Sequence, residues 1–184
     1  LGHELRNPLS AISGAVALMK APAAQEQHRL HAREVISRQI QHLSRVVDDL
    51  LDLSRVMTGK IILDFKPLDL AQAAASCLAA MRTAGRAGEH GLRSALSPVW
   101  VHGDPIRLEQ IIANLLSNAF KYTPPEGRIE LEVAAEGDEA VLIVRDTGHG
   151  IPKRLLPHIF DVFVQGDQSL ERAKGGLGIG LALV

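Results

Sequence analysis

Apolar residues recur at every third or fourth position over the first 58 residues, which is the spacing of one face of an α-helix. The first run has its apolar seam at Leu5, Leu9, Ile12, Val16 and Met19. After a break at residues 21–24, a second run without Gly or Pro extends from about Gln25 to Met57, with its seam at Ile36, Ile40, Leu43, Val47, Leu50 and Met57. Two helices cannot bury such seams on both sides unaided, so the pattern predicts an all-α helical hairpin that pairs with a second copy as a dimeric four-helix bundle.

The pattern changes near residue 58, where helical periodicity gives way to alternating strands and helices. Short strands are predicted at 61–65, 92–96, 99–101, 129–134 and 140–145, and helices at 70–83 and 104–122. Asp69 and Asp104 are candidate N-caps, and Pro105 suits the first position of the second helix. We therefore predict two domains, a helical hairpin over 1–58 and an α+β domain over 59–184.

The amino-acid composition limits the kinds of binding partner that we expect for this chain. The 184 residues are 46% hydrophobic and 22% charged, with a formal net charge of -1. This balance gives no reason to expect a nucleic-acid partner. Cys77 is the single cysteine, which excludes an intrachain disulfide. The sequence begins and ends inside predicted helices, so we expect it to be a piece of a longer protein.

The first helix carries a histidine, a carboxylate and an amide close together. His3 and Asn7 are four residues apart and so share one face of a helix, and Glu4 follows His3 directly. Pro8 removes one helical hydrogen bond, which predicts a bend beside His3. On its own, an exposed His-Glu pair is ordinarily a solvated surface feature, and this alternative stays open at this point.

A polar stripe runs along the helix predicted at 104–122. Its members are Arg107, Gln110, Asn114, Asn118 and Lys121, opposite an apolar face. Two amides four residues apart and a lysine three residues beyond offer neutral oxygens and one cation, which suits hydrated Mg²⁺ and phosphates. The alternative is a solvated helix face.

Two glycine-rich segments follow. Asp146-Thr-Gly148-His-Gly150 comes directly after a strand, where the aspartate can accept a hydrogen bond from an exocyclic amine and the glycines let backbone approach a ring closely. A simple Asp-Gly turn is the alternative. Residues 175–180 carry four glycines before an apolar run, and a Gly-rich turn at a helix start can bind anions. It is neither a dinucleotide fingerprint nor a P-loop.

Five of these motifs occur in one order: His3-Glu4-x-x-Asn7-Pro8, Asn114-x-x-x-Asn118-x-x-Lys121-Tyr122, Asp146-x-Gly148-x-Gly150, Phe160-x-x-Phe163 and Gly176-Leu-Gly178-x-Gly180. The order resembles the H, N, G1, F and G2 boxes of sensor histidine kinases, and the resemblance covers essentially the whole chain. It implies a dimerisation and histidine-phosphotransfer hairpin followed by a Bergerat-type ATP-binding domain, a mixed sheet backed by helices. In that family the first helix starts earlier and the ATP-binding domain continues further, so truncation at both ends is expected.

For the phosphotransfer site, the resemblance implies that His3 is the phospho-accepting nucleophile. A neutral imidazole keeps one ring nitrogen available for in-line attack on a γ-phosphorus. Glu4 would accept or orient the proton on the other nitrogen, and Asn7 would assist in positioning.

For the nucleotide site, the resemblance implies ATP and Mg²⁺ as ligands. Asn118 would bind the metal with support from Asn114, Lys121 would neutralise phosphate charge, and Tyr122 would line the pocket. Asp146 would bind the adenine amine, with Gly148 and Gly150 leaving room for the ring. A lid spanning roughly 164–177 would close on the phosphates through Gly176, Leu177, Gly178 and Gly180.

The implied partners are a second copy of the chain and the receiver domain of a response regulator, whose aspartate takes the phosphoryl group from His3. The kinase core would be cytoplasmic, with membrane attachment only through segments absent from this chain. Two alternatives are a non-catalytic signalling scaffold with a degenerate nucleotide domain, and a related Bergerat ATPase such as a chaperone or topoisomerase subunit. The retained Asn118 and Asp146 count against the first, and His3-Glu4-x-x-Asn7-Pro8 on a dimer seam against the second.

Overall fold

A computed structural model describes residues 2–21, 25–59, 62–85, 90–164 and 177–184. The chain forms two compact units. One unit comprises Leu1–Lys60 and Val162–Gly180, and the other comprises Ile61–Asp161 and Leu181–Val184.

The first unit contains the predicted helical hairpin, with α1 at Gly2–Lys20 and α2 at Glu26–Met57. Contact between the two helices buries mainly small or branched residues, namely Ala15, Ala32, Val46 and Leu53. Residues of the predicted apolar seam are more exposed: the exposed fraction is 54% for Leu9, 52% for Ile40 and 47% for Val47. A single hairpin therefore leaves much of the apolar seam in contact with solvent, as expected when two helices touch along only one line.

The second unit alternates strands and helices. Its elements are β1 at Lys66–Asp69, α3 at Leu70–Thr83, β2 at Gly91–Leu96, β3 at Trp100–Gly103, α4 at Pro105–Tyr122, β4 at Arg128–Glu136 and β5 at Glu139–Asp146. Short 3₁₀ turns occupy Leu156–His158 and Leu181–Leu183. Both predicted N-caps are present, because the Asp69 carboxylate accepts from the Ala71 N–H and that of Asp104 from the Ile106 and Arg107 N–H groups.

The strands form two sheets. β2 and β4 are parallel, with Leu92 opposite Ile129, and β4 and β5 are antiparallel, with Ile129 opposite Asp146. β1 pairs with β3 in an antiparallel two-stranded sheet. The larger sheet is therefore mixed, as the predicted fold class requires.

The core lies between the helices and the larger sheet. Ile129, Leu131 and Val133 point inward from alternate positions of β4 and are at most 1% exposed. They share one apolar cluster with Ile112 and Leu116 of α4 and with a set of α3 residues, Leu70, Ala71, Ala74, Cys77, Leu78 and Met81. Because this face of α4 is buried, the rotation of the helix about its own axis is fixed, and its polar stripe points away from the core.

Three local predictions differ from the structure, two in the element itself and one only in the bounds of a strand that is present. Residues 62–65 form no strand. The reason is that β3 ends at Gly103, and the next residue, Asp104, instead caps α4 and accepts the Asp64 N–H through Oδ2 at 3.0 Å. Ile61 lies outside the described residues. The strand predicted at 99–101 is Trp100–Gly103, since the Val99 carbonyl accepts the first N–H of α3, that of Leu70, at 2.9 Å. The helix predicted at the end of the chain is the 3₁₀ turn Leu181–Leu183.

Candidate nucleotide and phosphotransfer sites

The C-terminal half of α4 supplies four of the predicted nucleotide-site residues. Ile112, Leu116, Ala119 and Phe120 are buried on one side of the helix. Asn114, Asn118, Lys121 and Tyr122 are half-buried. The Lys121 ammonium lies 4.7 Å from the centroid of the Tyr122 ring, which places a cation against an aromatic face at the end of the helix.

The loop after β5 begins with Asp146, the last residue of that strand. Its Oδ1 atom accepts a hydrogen bond from the Gly148 N–H at 2.8 Å, which closes a tight turn. The Asp146 side chain is exposed, so the carboxylate can also accept a hydrogen bond from a ligand.

The α4 terminus and this loop meet through backbone atoms. The His149 N–H donates to the Tyr122 carbonyl at 3.3 Å. A Cβ atom added at Gly148 would overlap that carbonyl oxygen and would lie 2.8 Å from Asp146 Oδ1. Gly148 is therefore required by the approach of one protein segment to another, and its predicted second role, to leave room for a ring, stays a prediction. Gly150 has a φ of +69° and open space around it.

Sequence reasoning missed the residues that hold these segments together. The His90 Nε2 atom lies 2.9 Å from the Thr123 carbonyl oxygen, directly beyond α4. The Thr147 hydroxyl accepts the Arg128 N–H at 2.8 Å, and Gly127 packs tightly against Thr123. Neither a lone histidine before a strand nor a threonine after an aspartate follows a periodic pattern, so the sequence carried no signal for these contacts.

The glycine-rich segment near residue 178 belongs to the other compact unit. Leu177 and Ile179 are 6% and 1% exposed, and Gly178 has a φ of +67°. The Gly178 carbonyl accepts the N–H of Phe163, a residue that also has a positive φ, 67°. Gly176 lies outside the described residues. The 3₁₀ turn that follows is three residues long, and the binding of an anion by this glycine-rich segment stays a prediction.

The predicted phosphotransfer residues lie in the first two turns of α1. Since the helix is continuous over Gly2–Lys20, His3 and Asn7 are one turn apart on it, and the Asn7 side chain is exposed. The side chains of His3 and Glu4 are outside the described structure. Pro8 lies inside the helix, as predicted, and is buried.

Two features of the described residues concern metal binding and membrane-spanning helices. Within the described ranges, no three His, Cys, Asp or Glu side chains are grouped so that they could hold a metal ion. A metal site here would therefore depend on amide oxygens and on oxygens of a ligand. None of the described helices combines the length and apolar character needed to cross a bilayer.

Comparison with known proteins decides the family. Residues 1–59 match the family model of the His Kinase A (phospho-acceptor) domain, and residues 103–184 match that of the histidine kinase-, DNA gyrase B- and HSP90-like ATPases. The chain belongs to the sensor histidine kinase family. It is 39% identical over 189 residues to the circadian input-output histidine kinase CikA of Synechococcus elongatus, covering 100% of this chain and 25% of that protein.

Other relatives agree with this assignment. The probable sensor histidine kinase TcrY of Mycobacterium tuberculosis is 34% identical over 182 residues, covering 99% of this chain and 38% of TcrY. Full-length ShkA in complex with AMPPNP superposes with a TM-score of 0.66 at 27% identity, covering 98% of this chain and 38% of that one. The predicted histidine kinase family and fold class are confirmed. The chain spans about a quarter to two-fifths of the curated relatives CikA and TcrY.

Proposed function

We propose that this chain is the catalytic core of a two-component sensor histidine kinase. Residues 59–184 bind ATP with Mg²⁺, His3 in the hairpin of residues 1–58 is autophosphorylated, and the phosphoryl group then passes to an aspartate of a response-regulator receiver domain. The observation that carries this proposal is the junction of Tyr122 with Gly148, which brings the end of the amide-bearing helix against the loop of Asp146.

The donor set at this junction fits an adenine nucleotide. Asp146 ends a strand with an exposed carboxylate that can accept from the adenine amine, while Gly148 and Gly150 leave two positions of the adjacent loop without side chains. Tyr122, half-buried at the end of α4, supplies an aromatic wall. These groups bind and orient the base.

The α4 stripe fits the metal and the phosphates. Mg²⁺ prefers oxygen ligands and retains waters, so the Asn118 amide oxygen, supported by Asn114, suits a metal that is held mainly by phosphate oxygens. The metal would supply charge neutralisation on those oxygens. Lys121 adds a cation one turn further along, and Gly176, Leu177, Gly178 and Gly180 close over the phosphates as part of the lid.

The transfer itself needs a neutral imidazole. One ring nitrogen of His3 donates its lone pair to the γ-phosphorus as the bond from that phosphorus to the β,γ-bridging oxygen breaks, and ADP leaves. Glu4 accepts the proton from the other ring nitrogen, and Asn7 orients the reacting groups. In the second step a receiver-domain aspartate oxygen attacks the phosphorus as the N–P bond breaks, and Glu4 returns the proton to the ring, so that His3 is a neutral imidazole again.

The hairpin supports a homodimer, since Leu9, Ile40 and Val47 present an uncovered apolar seam. A second copy placed on this seam gives the four-helix bundle that the sequence pattern predicts. We place this core in the cytoplasm, where receiver domains are available, and assign any membrane attachment to segments outside this chain.

The test is phosphorylation with γ-labelled ATP and Mg²⁺. We expect acid-labile, base-stable label on the wild-type chain and none on His3→Ala. His31→Ala is the matched control, because His31 is a histidine on α2 that is exposed and lies near a carboxylate, with its Nδ1 atom 4.0 Å from Glu34. Label that persists in His3→Ala, or that disappears in His31→Ala, would remove His3 from the role of nucleophile.

A further inference from the structure

Two backbone carbonyls at the end of α4 are held by different segments of the chain. The last carbonyls of a helix lack intrahelical partners and must bond elsewhere. The Tyr122 carbonyl accepts from the His149 N–H at 3.3 Å, and the Thr123 carbonyl lies 2.9 Å from His90 Nε2. One tether comes from the loop that carries Asp146, and the other comes from the residue before β2.

The segment at His90 makes further contacts besides the hydrogen bond to the Thr123 carbonyl. Its ring packs at a tilt against Phe120, with 5.6 Å between the ring centroids, and Phe120 is a core residue that is 8% exposed. The next residue, Gly91, donates its N–H to the Gly127 carbonyl at 3.0 Å. His90 and Gly91 thus hold both ends of the segment from Thr123 to Gly127, which links α4 to β4.

We infer that His90 is a positioning residue for the nucleotide site, acting through the Thr123 carbonyl and the Phe120 ring on the last turn of α4. That turn carries Lys121 and Tyr122, and Asn118 lies one turn earlier. The inference rests on the proposed function, because it is the ATP-binding role of these residues that gives their placement a consequence. We assign His90 no direct contact with the proposed metal or phosphates.

The hydrogen bond dictates which chemical group must stand at residue 90. A carbonyl oxygen only accepts, so the Nε2 atom of His90 must carry a proton in this hydrogen bond. Glutamine can place an amide N–H at a similar reach, although it lacks the ring. Phenylalanine keeps a ring against Phe120 but has no donor. His90→Gln and His90→Phe therefore separate the hydrogen bond from the packing.

The experiment measures affinity for the Mg²⁺ complex of AMPPNP by calorimetry on the 184-residue chain. We expect His90→Phe to weaken binding by ~3- to 10-fold, as loss of one hydrogen bond at this end of the helix implies, and His90→Gln to stay within ~2-fold of wild type. His102→Phe is the control, because the His102 ring also stacks on an aromatic residue, Phe65, at 5.8 Å, but outside the nucleotide site. Equal losses in His90→Gln and His90→Phe, or no loss in His90→Phe, would overturn the inference.

A second measurement does not need the nucleotide. Amide hydrogen exchange in His90→Phe should be faster at Thr123, Gly127 and His149 than in wild type, and unchanged at Leu131 and Val133 in the core of β4. If wild-type chain fails to bind AMPPNP while these amides respond, the proposed function fails and the tether stands. If wild type binds AMPPNP while these amides keep wild-type protection in His90→Phe, the tether fails and the proposed function stands.

Discussion

The backbone of Gly148 lies directly against the carbonyl group of Tyr122, so closely that no side chain fits at position 148. This contact joins the end of α4 to the loop of Asp146 across 26 residues of sequence. It is the structural reason that the end of the amide-bearing helix lies beside the loop of Asp146, the carboxylate that we propose binds adenine.

Gly148→Ala should therefore damage both stability and nucleotide binding. The added methyl group would overlap the Tyr122 carbonyl oxygen and would lie 2.8 Å from Asp146 Oδ1, so one of the two segments must move. We expect a loss of ~1–3 kcal/mol in the free energy of unfolding and at least ~10-fold weaker AMPPNP binding. Denaturant unfolding and calorimetry measure the two effects.

Gly14→Ala is the control for Gly148→Ala. Gly14 lies in the interior of α1 with open space around its Cα atom, so alanine there should stabilise the hairpin by ~0.5–1 kcal/mol and leave nucleotide affinity unchanged. A Gly148→Ala protein with wild-type stability and affinity would show that the close approach to Tyr122 has no consequence in solution.

Asp146→Asn should separate the turn from the ligand contact. Asparagine can keep its Oδ1 atom on the Gly148 N–H, a bond that is 2.8 Å long in the wild-type structure. Its other terminal atom becomes an NH₂ group, which cannot accept from the adenine amine. We expect unfolding free energy within ~1 kcal/mol of wild type but at least ~10-fold weaker ATP binding.

Binding of GTP provides a second test of the proposed contact between Asp146 and the adenine amine. Guanine presents a carbonyl where adenine presents an amine, so Asp146→Asn should reduce the preference for ATP over GTP. An unchanged preference in a stable Asp146→Asn protein would take the adenine contact away from Asp146.

Local signals explain what could be predicted from the sequence. α3 is bounded as predicted at Leu70 and Thr83, because an aspartate cap and an alanine-rich apolar periodicity lie within the segment itself. The same holds for α4, with Asp104 as its cap and Pro105 at its first position. The polar stripe of α4 and the motifs that resemble kinase boxes were also local.

Contacts between distant segments explain what the sequence could not predict. The position of β1 depends on where β3 ends, and β3 ends because Asp104 is needed as a helix cap. His90 reaches Thr123 across 33 residues, and no periodicity marks such a pair. Gly148 was predicted to be necessary, but the atom that requires it, the Tyr122 carbonyl, was visible only in the fold.

Cys77 provides a pH-dependent probe of packing between α3 and α4. It is 4% exposed, and its Sγ atom lies 3.7 Å from the Glu109 carbonyl oxygen on α4. Burial, with a smaller effect of the Glu109 charge, raises the pKa of the Cys77 thiol from 9.0 to about 11. Alkylation at pH 8 should therefore be on the order of 100-fold slower in the folded chain than in denaturant, because only the thiolate reacts.

The raised pKa of the Cys77 thiol also predicts how the free energy of unfolding changes with pH. A thiol whose pKa is raised by folding favours the folded state below its unfolded pKa of 9.0, and that contribution is lost as the pH rises through about 11. Unfolding free energy should fall over this range in wild type and fall less in Cys77→Ala. Rapid alkylation of the folded chain at pH 8, or identical pH profiles for the two proteins, would contradict the packing of Cys77 against α4.

The apolar seam of the hairpin makes a prediction about assembly. Ile40 and Val47 are 52% and 47% exposed although they are seven residues apart on one face of α2. In a two-fold symmetric bundle each substitution occurs twice, so Ile40→Lys should raise the dimer dissociation constant by at least ~100-fold. Sedimentation velocity across a concentration series measures this change. Trp100→Lys is the control, since Trp100 is 71% exposed in the α+β unit and lies outside the seam. Dimers that survive in Ile40→Lys, or that dissociate equally in Trp100→Lys, would place the interface elsewhere.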